Sequence, residues 1–229
     1  MLHSQQIFKR FGWVFFSLLF LFGCSSDQSG YFPLEEGHWW EYQETLVIRK
    51  ESHVRRRIVN NAEPVIIENE KLYVRESQGV DRQFFRKTEE GVFRVIPDQK
   101  KSELILPTDQ KLNWSLESRL GVIESRTFAR EDKILTRPKP IKIDYKIVST
   151  DEAVVVSAGR FKHCLKVVGT GLIAVKVDRR NSTAEIEIES IDWYAPGVGL
   201  VKTERTERSK STFLIQGFYT LELLKYKKN

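Results

Sequence analysis

Ile141-Lys142-Ile143-Asp144-Tyr145-Lys146-Ile147 alternates apolar and charged side chains without a break. Successive strand residues point to opposite sides of a sheet, so a strict period of two marks a strand with one face buried and the other in water. The same period extends in both directions. Upstream, Trp40, Tyr42, Leu46 and Ile48 share one parity and Glu41, Gln43 and Thr45 the other, with Glu44 the one discord. Val65 to Glu76 reads as a hairpin turning near Asn69-Glu70, and Arg82 to Ile96 as another turning at Glu89-Glu90-Gly91. Downstream, Ala153 to Ser157 and Phe161 to Val177 flank a turn at Ala158-Gly159-Arg160. Glu185, Glu187 and Glu189 alternate with Ile186 and Ile188, after which the apolar parity switches to Ile191 and Trp193 and predicts a bulge near Ser190. Pro196-Gly197-Val198-Gly199 makes the next turn, and Leu200 to Arg208 and Thr212 to Tyr226 close the chain as two long strands.

Roughly ten or more strands with short turns and no crossover helix imply antiparallel pairing. The fold class is therefore all-β, a single antiparallel domain built as a sandwich or a curved, half-barrel-like sheet. The stretch from Pro97 to Pro140 is the least regular, punctuated by four prolines, with Arg130 to Lys139 reading as a loop. A transmembrane barrel is a poor fit, because charged residues occupy most outward parities where lipid demands an apolar band.

The 37 basic and 31 acidic residues give a mild formal charge of +6. They alternate along the chain instead of forming blocks, as on solvated sheet faces. Arg55-Arg56-Arg57 and the C-terminal Lys225, Lys227 and Lys228 are the sharpest basic clusters. Each reads either as a charged strand face or edge or as a contact for anionic headgroups.

The N-terminus carries a different signal. Lys9 and Arg10 precede an apolar run from Phe11 to Gly23, too short to span a bilayer comfortably and of the length of a secretory signal. An uncleaved anchor and an ordinary signal are the alternatives, but no A-x-A-like cut site is present. Leu21-Phe22-Gly23-Cys24 resembles the lipobox of bacterial lipoproteins, with Phe22 bulkier than the usual residue. That resemblance implies a signal peptide over 1–23, lipid attachment at Cys24 with palmitate among its two or three acyl chains, and a close to permanent membrane anchor. Residues 24–30 then form a flexible tether and 31–229 the β domain. In Gram-negative members of that family, a residue such as Ser25 after the cysteine implies the outer membrane, with the domain facing the periplasm. Only Cys24 and Cys164 exist, so an acylated Cys24 leaves Cys164 without a disulfide partner. Cys164 then reads as a small buried hydrophobe or, less readily, as a reactive thiol.

Two further segments are similar to a broad set of uncharacterised bacterial lipoproteins. One is the opening Tyr31-Phe32-Pro33-Leu34 followed by Gly37 and Trp40-Glu41-Tyr42. The other pairs Gly159-Arg160-Phe161-Lys162-His163-Cys164 with Trp193-Tyr194-Ala195-Pro196-Gly197-Val198-Gly199-Leu200-Val201-Lys202. This likeness leaves about residues 45 to 150 unmatched and implies a β fold without an assigned activity. The residues themselves read first as fold-defining. The functional reading is an aromatic recognition patch of Trp39, Trp193 and Tyr194.

No catalytic or metal spacing stands out. His38, His53 and His163 are isolated, Gly169-Thr170-Gly171 sits inside a strand pattern, and no Gly-x-Ser-x-Gly elbow occurs. Glu185, Glu187 and Glu189 form an acidic row that reads as a solvated face rather than a cation site. Catalytic residues, metals and cofactors are therefore all expected to be none, and nucleic acid is a poor partner for an exported chain. Three functions remain open: a non-catalytic envelope module that binds another envelope protein, a carrier or sensor of an apolar molecule, and an enzyme on envelope polymers.

Overall fold

The computed structural model describes residues 28–48, 50–78, 80–119, 121–125, 140–176 and 182–228. The strands in chain order are β1 (Trp39–Ile48), β2 (Glu51–Ile67), β3 (Glu70–Ser77), β4 (Val80–Lys87), β5 (Gly91–Ile96), β6 (Lys101–Pro107), β7 (Trp114–Ser118), β8 (Glu124–Ser125), β9 (Ile141–Val156), β10 (Gly159–Lys176), β11 (Thr183–Ala195), β12 (Gly199–Arg208), β13 (Leu214–Ile215) and β14 (Gly217–Lys227). Twelve of them form one antiparallel, nearly closed barrel-like sheet. Their order is β6-β5-β4-β3-β2-β1-β14-β12-β11-β10-β9-β7, and β8 pairs with β13 apart. The chain thus folds as two meanders joined where β1 meets β14.

Edge strands β6 and β7 are consecutive in sequence but share no ladder. Lys101 spans the seam between them, its Nζ donating to Glu117 Oε2 at 2.9 Å while also contacting Glu103 Oε1 at 3.0 Å. A short, charged edge of this kind resists pairing with another chain.

The period of two places the predicted apolar rows inside. Ile141, Ile143, Ile186 and Ile188 are buried, and Glu185, Glu187 and Glu189 are exposed outside. Three groups of core residues run along the barrel. The first centres on Trp40, Cys164, Val201 and Leu223, the second on Phe32, Phe85, Trp114 and Tyr194, and the third on Ile143, Ile186 and Leu214. Gly169 and Gly171 make room in the wall. A Cβ on Gly169 would lie 2.4 Å from Tyr145 Cε1, and one on Gly171 would lie 2.4 Å from Ile143 Cδ1.

One expectation needs correction. The bulge predicted near Ser190 does not form, since β10 and β11 pair without a break from Leu165↔Tyr194 to Lys176↔Thr183. Ser190, Asp192 and Tyr194 simply continue the inward row of Ile186 and Ile188, and the register shift lies between Trp193 and Tyr194 against β12. The inward row turns polar, and that is what a hydrophobic pattern misreads as a change of face. Gln28–Gly30 form a 3-10 turn with Tyr31. The carbonyl of Gly30 accepts the Gly197 N–H at 2.6 Å.

One mouth of the barrel is closed by residues 118–119 and 121–123. Glu207 on β12 is 0% exposed, and its carboxylate accepts the backbone N–H groups of Gly121, Val122 and Ile123 at 2.9 to 3.2 Å. Arg205 pairs with Glu207 at 2.8 Å and donates to Ser118 Oγ and Arg119 O, both at 2.9 Å. Opposite, Gly217 lets the segment pass, for a Cβ there would lie 2.1 Å from Val122 O. Removing one partner of a buried charge pair costs about 3–5 kcal/mol, because the other stays buried and uncompensated. Glu207→Ala should therefore lower stability by about that amount and Glu207→Gln by less, read from urea midpoints. Equal midpoints for wild type and Glu207→Ala would contradict this closure.

Candidate functional site

The opposite mouth is where the chain enters, and it is built from the residues just after the expected anchor. Phe32 and Leu34 are buried among Phe85, Val92, Leu106 and Trp114. Phe32 sits 5.2 Å from the Phe85 ring. The carbonyl of Pro33 cannot reach a ladder, so side chains satisfy it. Arg75 Nη2 donates to it at 2.7 Å and Asn61 Nδ2 at 3.1 Å, while Arg75 Nε donates to Asn61 Oδ1 at 3.0 Å.

Arg75 has no carboxylate partner among the described residues. Its guanidinium carbon lies 4.2 Å from the ring centre of Phe32, 4.9 Å from Trp40 and 5.4 Å from Phe85. The ring faces supply the negative potential that an acid would otherwise provide. Burial lowers its pKa to about 10, so it stays charged at neutral pH. Trp40 and Tyr42 tie β1 to the β11–β12 turn on the same mouth. The indole N–H donates to Val198 O at 2.7 Å and the phenol to Leu200 O at 2.9 Å.

The barrel interior below this mouth is crossed by charge. Glu44, the discord in the β1 pattern, is 2% exposed and faces Arg55 and Arg57 across the β1–β2 ladder, with Tyr219 donating to it at 3.0 Å. Arg94 and Glu103 pair across β5–β6. Asp192 accepts the Thr203 hydroxyl at 2.6 Å. Desolvation raises its pKa to about 6, against the opposing pull of Thr203 and Arg205. Desolvation likewise pushes Tyr145 up to about 12 and Tyr194 well above its ordinary value.

The recognition patch expected from sequence is not assembled as one surface. Tyr194 is buried in the barrel, whereas its neighbour Trp193 faces out between Lys166 and Lys202, at 5.7 and 5.6 Å from their ammonium groups. Trp193 aligns through Lys202 and Glu222 with Gln43, three strands away and four residues along β1 from Trp39. Strand spacing and rise then separate the two indoles by roughly 20 Å. Cys24 lies outside the described residues. Cys164 is buried, and burial raises its thiol pKa to about 11, which removes the thiolate that reactivity requires. His38 stacks on Trp40 at 5.8 Å, and the exposed His163 contacts Asp151 at 2.6 Å. The residues that sequence reasoning missed are Arg75 and Asn61, which resemble any other polar strand residues until the Pro33 carbonyl is placed between them.

No family model matches the chain, and no curated protein is significantly similar to it. Among solved structures, the fold is similar to a "putative lipoprotein" from Parabacteroides distasonis ATCC 8503, with 17% identity, 86% of this chain and 98% of that chain covered, and a TM-score of 0.43. It is also similar to a "putative exported protein with YmcC-like fold" from Bacteroides fragilis NCTC 9343, at 14% identity with the same coverage and a TM-score of 0.46. Likeness at this level is too distant to carry a function from either protein to this one.

Arg75→Met keeps bulk among the three rings but loses the donors to Pro33 and Asn61. We expect a loss of about 1–3 kcal/mol and faster amide exchange over residues 31–38. Unchanged exchange there would show that Arg75 does not hold the mouth. Asp192 gives a pH signature. A carboxyl whose pKa is raised on folding binds its proton more tightly when folded, so its ionisation costs stability increasingly between about pH 4 and pH 6. Asp192→Asn should remove that cost. It should gain on the order of 2–3 kcal/mol relative to wild type on going from about pH 4 to pH 7.5, a difference that urea titrations at both pH values would detect.

Proposed function

We propose that the chain is a lipid-anchored bacterial envelope protein whose β domain is a non-catalytic binding or scaffolding module. The observation that carries this reading is the construction of the mouth. Six residues after Cys24 the chain is already docked on Gly197 through the Gly30 carbonyl, and within ten Phe32 and Leu34 are part of the core. A chain of n residues spans at most about 3.6 Å each, so acyl chains on Cys24 would hold Gln28 within roughly 14 Å of the headgroups. The domain then hangs from its anchor by a plug and not by a free linker. Ser25 supports the outer membrane, with the body in the periplasm. A partner protein of the envelope is the occupant this fixed presentation serves best. Carriage of an apolar molecule has less support, because the interior is crossed by the Glu44–Arg57, Glu103–Arg94 and Glu207–Arg205 pairs.

The test is made in the native host. Intact-mass analysis should find the mature chain starting at Cys24 with acyl chains attached, and Cys24→Ala should leave the membrane fraction. An unprocessed N-terminus, or a Cys24→Ala protein that still sediments with membranes, would sink the anchored reading. In-cell crosslinking of the wild type should recover a discrete envelope partner, and its failure to do so would count against the scaffolding role.

A further inference from the structure

We propose that the mouth from which the anchor leaves is itself a docking surface for anionic lipid headgroups. The proposal takes its orientation from the anchored reading and adds a second, electrostatic contact to it.

Tertiary structure assembles this surface from three places in the chain. The β9–β10 hairpin brings Arg160 and Lys162, and the end of β14 brings Lys227 and Lys228. The Phe161 and Tyr226 rings join the two elements with centroids 5.9 Å apart, and the Ala158 N–H donates to Leu223 O at 3.0 Å. The third place is the chain's own exit. Gly30 is bonded to Gly197, and Lys228 Nζ lies 3.2 Å from where a Cβ on Gly197 would be. The described chain therefore begins beside the cluster.

All four basic residues are exposed, and none forms an ion pair with another described residue. Among the acids on neighbouring strand ends, Glu41 is paired with Arg56 and Lys225 and Asp151 contacts His163, while Glu152 has no ion pair with another described residue. Two apolar side chains stand out on the same rim, Val155 at 68% and Tyr226 at 38% exposure. Unpaired cations around exposed apolar and aromatic groups are the composition that binds an anionic bilayer surface. The short reach from Cys24 is comparable with the Debye length of about 8–10 Å, so the field of the leaflet acts on these residues once the anchor is inserted. Docking would restrain the swing of the domain and present its far mouth to the periplasm.

The probe is a set of vesicles, either phosphatidylcholine alone or with about one-third phosphatidylglycerol. The protein is the processed chain beginning at position 24 with Cys24→Ser, so that no acyl chain contributes. We expect sedimentation with the anionic vesicles at low salt, none with the neutral ones, and loss of binding as salt is raised. Each basic residue replaced should weaken binding about fivefold, so that Arg160→Gln, Lys162→Gln, Lys227→Gln and Lys228→Gln together abolish it, with an unchanged melting temperature. Arg208→Gln on the far mouth should leave binding unaltered. Equal sedimentation with neutral vesicles, no sedimentation at low salt, or a quadruple variant that binds like wild type would overturn the proposal. Failure of lipidation would appear instead in the intact mass from the host and leaves this measurement untouched.

Discussion

A sheet that nearly closes on itself has an interior and two mouths, and each must be satisfied by groups the chain itself supplies. Cys164 is buried and free, so no disulfide helps among the described residues. At one mouth the buried carboxylate of Glu207 collects successive backbone N–H groups and keeps Arg205 as its counter-charge. At the other, the buried end of Arg75 meets a lone carbonyl under three aromatic rings. The two solutions are electrostatic opposites. An anion gathers donors at the first, whereas a cation gathers acceptors and ring faces at the second. Both serve the same need, because an unpaired backbone group away from water costs about as much as a lost hydrogen bond.

The interior shares that economy. Glu44, Glu103 and Glu207 each face an arginine, and Asp192 leans on Thr203. Buried pairs contribute little net stability compared with apolar side chains, but breaking one is expensive. Their effect is to penalise any slip of register, since moving a strand by one residue would turn its charges outward and leave the partner alone. In a sheet of twelve strands joined largely by neighbours, such pairs mark the correct alignment of β1 with β2, β5 with β6 and β11 with β12.

Those same residues explain where sequence reasoning succeeds and where it stops. Ile141 to Ile147 is legible because its inward row is wholly apolar or aromatic. The first half of β2, from Glu51 to Arg57, is nearly all polar, and β6 and β7 lie in the irregular stretch between prolines, so the period has nothing to display there. Ser190 and Asp192 break the apolar row without breaking the strand, and they look like a bulge for that reason. Trp193 and Tyr194 are adjacent in one strand, so the period of two already places them on opposite faces, and the structure leaves one half-buried between two lysines and puts the other in the core. Arg75 carries no sequence mark, because its partner is a backbone carbonyl 42 residues away.

By itself the sequence determined that the chain is a succession of antiparallel strands, where most of its turns fall, and that its start resembles a lipoprotein signal ending at Cys24. These are local matters, decided by side chains a few residues apart. Only the tertiary structure decided that the sheet curls until β6 and β7 almost meet, that β1 pairs with β14 from the far end of the chain, and that the segment around Phe32 and Leu34 plugs the mouth beside the C-terminal lysines. Alternation shows that a strand has two unlike faces. Which polar groups can be enclosed depends on partners brought close by the closure of the barrel, and no spacing along the chain records them.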